Sequence, residues 1–218
     1  MAKQMIDPKK IGEISIDNEA ITEKRFKKLG FAVTRKDYQG PRRRPEFLVS
    51  DSHGPLLVCE VKTIFSGGFL HDRNAHISTE DPDLANFGQF RYKIDFSKID
   101  ENLADAVSKY RALIADEPNL SGVPLVVALF FDFFADHLFD FYDAKMDRFP
   151  EVSGILRVES DHEIKEIAQR MTTRELKDII ERKSMVGMPN NSKRFVLVQN
   201  ECAKVKLPKH FVEACISN

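Results

Sequence analysis

The sequence has few cysteines, and their spacing argues against disulfide bonds and cysteine-based metal sites. Cys59, Cys202 and Cys215 are odd in number and contain no CxxC pair, so we expect reduced thiols, with Cys59 packed inside a strand. The chain also lacks a Pro-, Gly- or Ser-rich segment that would separate two domains. A single domain over residues 1–218 is therefore expected.

The N-terminal segment lacks an apolar run. Residues 1–10 read MAKQMIDPKK, which predicts neither a signal peptide nor a membrane anchor. We therefore expect a cytoplasmic protein without a membrane partner. The composition, with 42% hydrophobic and 31% charged residues, is typical of a globular chain rather than a disordered or fibrous one.

The net charge of −1 excludes no class of partner, but the charges are unevenly distributed. Lys and Arg outnumber Asp and Glu by 13 to 9 in residues 1–63 and by 11 to 8 in residues 161–218. Acidic residues prevail by 17 to 9 in residues 64–160. Basic ends of this kind can hold a polyanion, although an ordinary solvated surface of mixed charge has the same pattern.

Hydrophobic periodicity and turn residues predict an α/β fold, with helices packed on a central mixed sheet. The first helix is expected to begin near Asp17 or Asn18 and to end at Gly30. Residues 64–95 show no sustained period, which predicts a long irregular excursion. The remaining predicted elements are strands at 31–34, 125–131 and 194–198, two antiparallel strands within 45–62, a helix at 99–114, and two short helices that start at capping boxes near 160 and 172.

The segment 45–62, PEFLVSDSHGPLLVCEVK, combines two apolar runs with charges that a buried strand seldom carries. Alternation along the second run predicts one face that is apolar at first and charged at the end, formed by Leu56, Val58, Glu60 and Lys62. This pattern is typical of a strand that leaves the core and enters a cleft.

Glu46 lies on the neighbouring predicted strand, where a suitable register would bring its carboxylate beside that of Glu60. Two adjacent carboxylates repel each other and need a cation. A hard divalent ion such as Mg²⁺ suits oxygen ligands and retains waters that can attack a substrate. Lys62 would then stand beside the ion, where its ammonium could stabilise a transition state or help to position and deprotonate the attacking water.

Pro45-Glu46, followed after thirteen residues by Glu60-Val61-Lys62, resembles the signature of the PD-(D/E)xK nucleases, the restriction-endonuclease-like superfamily. That family usually has a helix with a glutamate before the motif strands, and a helix and a core strand after them. The matching features here are Glu19 in the first predicted helix, residues 99–115 and residues 125–131. The likeness covers residues 14–131, and residues 132–218 are left unplaced.

The resemblance implies a restriction-endonuclease-like core that hydrolyses phosphodiester bonds, acting as a DNA endonuclease with Mg²⁺ or Mn²⁺ as cofactor. It implies Glu46 and Glu60 as metal ligands and Lys62 as the catalytic lysine. Glu19 would be an accessory acid that orients metal or water. The family more often has Asp at the position of Glu46, and the longer side chain moves the carboxylate outward. Nucleases of this type often work as dimers, so the resemblance leaves a homodimer open.

Basic residues near the motif are candidate nucleic-acid contacts. Arg42, Arg43 and Arg44 directly precede it and would suit phosphate contacts, although a basic turn is also an ordinary surface feature. Lys93 could reach a substrate phosphate if the excursion folds over the cleft. The alternative to an enzyme is a nucleic-acid-binding or scaffold module that keeps the fold without hydrolysis. The three charges at 46, 60 and 62 favour the enzyme, because an inactive module has no chemical need for them.

Each of these assignments has a simpler alternative. Glu60 and Lys62 could form an exposed cross-strand ion pair, worth roughly 0–1 kcal/mol. Glu19 could serve only the helix macrodipole, which acidic residues in a first turn favour. The excursion also offers a rival His/Asp metal site without a recognisable ligand spacing, at His71, Asp72 and His76.

Overall fold

The fold is α/β, with a central mixed sheet of six strands and helices on both of its faces. The computed structural model describes residues 8–36, 43–64, 70–71, 84–87, 90–94, 97–131, 143–159 and 194–216. Its α-helices are α1 (Pro8–Lys28), α2 (Ser97–Asp116) and α3 (Lys209–Ile216), and two short 3-10 helices lie at Pro118–Leu120 and Asp143–Arg148. Its strands are β1 (Ala32–Arg35), β2 (Phe47–Asp51), β3 (Gly54–Ile64), β4 (Leu70–His71), β5 (Leu84–Phe87), β6 (Phe90–Ile94), β7 (Leu125–Phe131), β8 (Val152–Glu159) and β9 (Arg194–Gln199).

The central sheet has the strand order β1-β2-β3-β7-β8-β9. β3, β7 and β8 run parallel to one another. The pairs β1–β2, β2–β3 and β8–β9 are antiparallel. Parallel neighbours need a crossover connection, and α2 lies in the one between β3 and β7. The predicted fold class, a mixed sheet flanked by helices, is confirmed.

Two apolar clusters cover the sheet, one on each face. The first cluster packs α2 against β3, β7 and β8, with Leu103, Leu113 and Leu129 fully buried. The second packs α1 and α3 against the other face, where the rings of Phe26 and Phe211 are 6.2 Å apart. β3, β7 and β8 are covered on both sides, and β7 is accordingly apolar throughout. β3 is apolar up to its charged end, and β8 includes a serine, an arginine and a glutamate among its apolar residues.

α1 ends as predicted, at the glycine that follows its last turn. Gly30 has a φ of 89°, a left-handed conformation that glycine adopts without steric cost. Its N–H donates to the carbonyl of Lys27 at 3.0 Å, and the N–H of Phe31 donates to the carbonyl of Phe26 at 3.1 Å. These two bonds satisfy carbonyls that the helix end would leave unpaired, and they lead the chain directly into β1.

Two predictions of local structure are wrong. α1 begins at Pro8 rather than near Asp17 or Asn18, because proline suits the first turn of a helix and the polar residues lie within the helix. The predicted irregular excursion at 64–95 contains part of β3 and a separate antiparallel sheet in the order β4-β6-β5. The strands of this small sheet have only two to five residues, which is too short to show a period.

The C-terminal part contributes two strands and a helix to the same domain architecture. β9 confirms the strand predicted at 194–198. β8 and α3 lie where no element is predicted. β8 belongs to the parallel centre of the sheet, and α3 supplies Phe211 and Cys215 to the second apolar cluster. The short helices predicted to start near 160 and 172 lie outside the described residues.

Candidate active site

The register of β2 and β3 brings Glu46 beside Glu60. Phe47 pairs with Cys59 in this antiparallel hairpin. The next positions outward are Glu46 and Glu60, which therefore face each other across the hairpin. Both are buried, with 7% and 0% of their surface exposed. The β2–β3 hairpin therefore has the register that is needed to bring the two carboxylates side by side.

Lys62 follows Glu60 on the face of β3 that α2 covers. Val58 belongs to the first apolar cluster, and alternation carries this face onward to the two charged residues. Leu56 departs from the predicted alternation, because the β2–β3 register skips it and it packs in the second cluster with Leu57. The predicted face, apolar at first and then charged, is therefore present for Val58, Glu60 and Lys62.

Two residues of α2, Asp105 and Lys109, complete the site, although neither is predicted from the sequence as a site residue. They are four residues apart on one side of the helix, next to the apolar stripe that packs on the sheet. Pairs of an acidic and a basic residue at this spacing are common on exposed helices. This pair differs from them because α2 packs on the sheet and brings it next to Glu60 and Lys62. The charged cluster consists of Glu46, Glu60, Lys62, Asp105 and Lys109.

Carboxylates and ammonium groups alternate within the charged cluster. Glu60 Oε1 lies 2.6 Å from Lys62 Nζ and 2.5 Å from Lys109 Nζ. Lys62 Nζ also donates to Asp105 Oδ2 at 2.5 Å, and Lys109 Nζ lies 3.4 Å from Glu46 Oε1. Because Glu60 is fully buried, the alternative of an exposed Glu60–Lys62 ion pair is wrong. With every group ionised, three carboxylates and two lysines leave one excess negative charge.

Glu46 has an unusual protonation equilibrium. Its Oε2 accepts the backbone N–H of Val61 at 2.7 Å. Burial raises the pKa of Glu46 to about 8, and the adjacent carboxyl group of Glu60 adds to the rise. Lys109 and the N–H of Val61 act in the opposite direction without cancelling the rise. The two carboxyl groups therefore favour a proton between them unless another cation replaces it.

The residues contributed by α2 favour their charged forms. Burial opposes the charge of Lys109, but Glu60 and Glu46 outweigh burial and raise its pKa. Burial also opposes ionisation of Asp105, but Lys62 and Lys109 outweigh it and lower the pKa of Asp105. The helix thus presents a fixed positive and a fixed negative charge to the end of β3.

The donor set of the charged cluster fits a hard divalent cation. Glu60 Oε2 is buried and has no hydrogen-bond partner among the described residues, an arrangement that native structures usually avoid. The described ranges contain no group of three or more His, Cys, Asp or Glu side chains that could hold a metal ion. Mg²⁺, however, is commonly held by one or two carboxylates together with waters and substrate phosphates. Glu46 and Glu60 fit an open site of this kind for Mg²⁺ or Mn²⁺.

The structure pairs Glu19 with Arg35 rather than with the charged cluster. The guanidinium of Arg35 also lies 5.3 Å from the ring centroid of Phe47. α1 packs on the sheet face opposite to α2, although Asn18 reaches the end of β3 and donates to Thr63 at 2.8 Å. The macrodipole alternative for Glu19 is wrong, because the first turn of α1 contains no acidic residue.

The predicted nucleic-acid contacts have different surroundings. Arg43 is exposed, and its charge acts on Asp105, which places it near the charged cluster. Arg44 is largely buried and pairs with Asp116 and Glu117 at 2.9 Å each. Arg42 lies outside the described residues.

Lys93 and His71 belong to the small sheet, where they are paired in register between β6 and β4. Asp72 and His76, the other members of the rival His/Asp site, lie outside the described residues. That rival site stays a prediction from the sequence.

None of the described helices is both long and apolar enough to cross a membrane.

We found no match for the chain among protein-family models, curated proteins or solved structures. The candidate active site therefore rests on the geometry and chemistry of its own residues.

Proposed function

We propose that the protein is a divalent-metal-dependent nuclease that hydrolyses phosphodiester bonds, with DNA as its substrate and endonucleolytic cleavage as its mode. Glu46 and Glu60 would hold Mg²⁺ or Mn²⁺. The bound ion would supply Lewis-acid polarisation of a phosphoryl oxygen and activation of water. The likeness of this segment to the PD-(D/E)xK signature supports the same assignment.

The buried pair of Glu46 and Glu60 carries this proposal. A carboxylate that serves only stability is usually buried with a matching cation, and placing a second carboxylate beside it raises the cost of burial. Here the cost appears as the pKa of about 8 at Glu46, set by burial and by Glu60, and as the unpartnered oxygen of Glu60. Perturbed carboxyl groups of this kind concentrate at functional sites.

The position of Lys62 supports a role in contacting a substrate phosphate. Its ammonium lies between Glu60, whose side chain is fully buried, and Asp105, whose side chain is 42% exposed. The lysine therefore stands at the boundary between the core and the solvent. Two carboxylates fix its position, so its positive charge can stabilise charge that develops on a phosphate without reorganisation.

One observation favours the alternative of a nucleic-acid-binding or scaffold module without hydrolysis. Lys109 already contacts both carboxylates, so the cluster has an internal cation and is not left without a counter-charge. Under this alternative, the lysine would be a permanent structural substitute for a metal ion.

Cleavage of supercoiled plasmid tests the two candidates. The wild-type protein is expected to nick or linearise the plasmid with Mg²⁺ or Mn²⁺, and to leave it intact with EDTA. Glu46→Gln should lose most of this activity, because a neutral amide holds a dication less well. Binding of the plasmid without cleavage in either metal would contradict the nuclease and favour the binding module.

A further inference from the structure

Lys109 occupies the position between the two carboxylates that the proposed function gives to a metal ion. Its Nζ lies 2.5 Å from Glu60 Oε1 and 3.4 Å from Glu46 Oε1. Its side chain is only 14% exposed, so water screens these contacts weakly. An ammonium and a divalent ion repel each other strongly at such distances. The two cations therefore compete for the same pair of carboxylates.

A third carboxylate, that of Asp105 on the same helix, is within reach of Lys109. Asp105 precedes it by four residues, and Asp105 Oδ2 lies 4.0 Å from Lys109 Nζ. The side chain of Asp105 is 42% exposed, whereas that of Glu60 is fully buried. Since the lysine stem has four rotatable carbons, a small rotation would bring the ammonium towards Asp105 and the solvent. Lys109 could leave the buried carboxylates without losing an acidic partner.

We propose that Lys109 is a built-in counter-cation, which neutralises the negative charge that the Glu46–Glu60 pair carries in the metal-free protein and moves to Asp105 when a divalent ion binds. This inference rests on the proposed function and adds a regulatory feature to it. The lysine stabilises the empty site and lowers its affinity for metal. Metal would then be retained best when a substrate phosphate adds its own negative charge to the site.

Lys109→Met separates the two effects because it keeps the apolar stem and removes the charge. Isothermal titration with Mg²⁺ and with Mn²⁺ should show affinity about tenfold or more above that of the wild type, because a competing charge in a poorly screened position is gone. Without metal, the variant should melt about 4 °C or more below the wild type, because two buried carboxylates lose a counter-ion. Saturating metal should remove most of this difference.

Two variants control for charge and for the general loss of a lysine. Lys109→Arg keeps the competing charge, so its metal affinity should stay within about threefold of the wild type. Lys36→Met removes a lysine of similar exposure, 12% for its side chain, that pairs with Glu117 outside the charged cluster. It should leave metal affinity unchanged, and metal should not restore any stability that it loses. Lys109→Gln replaces the methionine variant if that protein does not fold, with the same expected direction.

The outcomes distinguish this inference from the proposed function. Tighter metal binding by Lys109→Met, with metal-restored stability, supports the counter-cation. Equal or weaker binding by that variant, in a protein whose wild type binds metal and cleaves plasmid, overturns the counter-cation alone. Binding by the variant but not by the wild type supports the counter-cation, and plasmid cleavage by the wild type then decides whether the nuclease stands. Absence of binding in both proteins overturns both.

Discussion

Two groups of charged residues contact α2, one at its middle and one at its C-terminal end, and they differ in charge balance and in whether they include a fully buried carboxylate. The outer cluster contains Lys36, Arg44, Asp116 and Glu117. It matches two cations with two carboxylates at distances of 2.9 to 3.0 Å, and its side chains are 11% to 27% exposed. The charged cluster combines three carboxylates with two lysines around Glu60, which is fully buried and keeps an unpartnered oxygen.

The outer cluster contributes to the stability of the fold, whereas the charged cluster lowers it. The outer cluster joins the segment after β1 and the segment before β2 to the end of α2, and each of its carboxylates pairs with a cation. The charged cluster places the carboxyl groups of Glu46 and Glu60 side by side where burial makes their ionisation costly. Proteins accept such a cost chiefly at sites of binding or catalysis.

The largest expected effect is on cleavage by Lys62→Met. Removal of a positioned positive charge should lower kcat about 10²- to 10³-fold, while the folded structure is retained. Lys36→Met is the matched control, because the two lysine side chains are 14% and 12% exposed and each contacts carboxylates. Plasmid cleavage at saturating metal, with circular dichroism of each variant, measures the difference. Equal loss of activity in both variants would assign Lys62 to the fold and not to the reaction.

The next effect is the pH dependence of stability, tested with Glu46→Gln in metal-free buffer. Burial and Glu60 raise the pKa of Glu46 from 4.5 to about 8, so the folded protein binds a proton that the unfolded chain releases. This contribution is fully present below pH 4.5 and is lost as the pH rises to about 8. The variant should therefore gain stability relative to the wild type across this window, by on the order of a few kcal/mol at its upper end. Urea unfolding at several pH values measures the gain.

Glu117→Gln in the outer cluster gives the opposite sign and so serves as the control for that experiment. Glu117 accepts from Lys36 and Arg44, and neutralising it should lower stability by about 1 kcal/mol or less. If both glutamine variants changed stability in the same direction at the upper end of the window, the two clusters would not differ in charge balance as the structure indicates.

The parts of this comparison that could be predicted from the sequence are those encoded by a single element or by a local hairpin. The strand at 125–131 follows from a continuous apolar run and the helix at 99–114 from apolar periodicity. The adjacency of Glu46 and Glu60 requires only the hairpin register. Asp105 and Lys109 can be recognised as site residues only from the packing of α2 on the sheet. The partners of Arg44 are 72 and 73 residues away, so local sequence could not reveal that this arginine is engaged.

A smaller effect separates two neighbouring arginines that the sequence treats alike. Arg43 is exposed near the charged cluster, so Arg43→Ala should flatten the log–log salt dependence of DNA binding by about 0.9 unit if it contacts one phosphate. Arg44→Ala should leave that slope unchanged. It should lower stability by about 1–2 kcal/mol, because Asp116 and Glu117 lose their ion pairs with this arginine. Binding titrations over a salt series and urea unfolding measure both. A flattened slope for Arg44→Ala alone would reverse the assignment.

The smallest expected effect is that of Glu19→Gln. The resemblance implies an accessory catalytic acid at this position, but the structure gives Glu19 an ion pair with Arg35 on the α1 side of the sheet. Loss of this pair should lower stability by about 1 kcal/mol or less, since Arg35 keeps its position over the ring of Phe47. Cleavage should stay within about threefold of the wild type. Arg35→Met is the matched control and should give a similar change in stability and no loss of cleavage. A loss of activity in Glu19→Gln close to that of Lys62→Met, with Arg35→Met fully active, would contradict this expectation. It would show that Glu19 acts in the reaction and not only in its ion pair with Arg35.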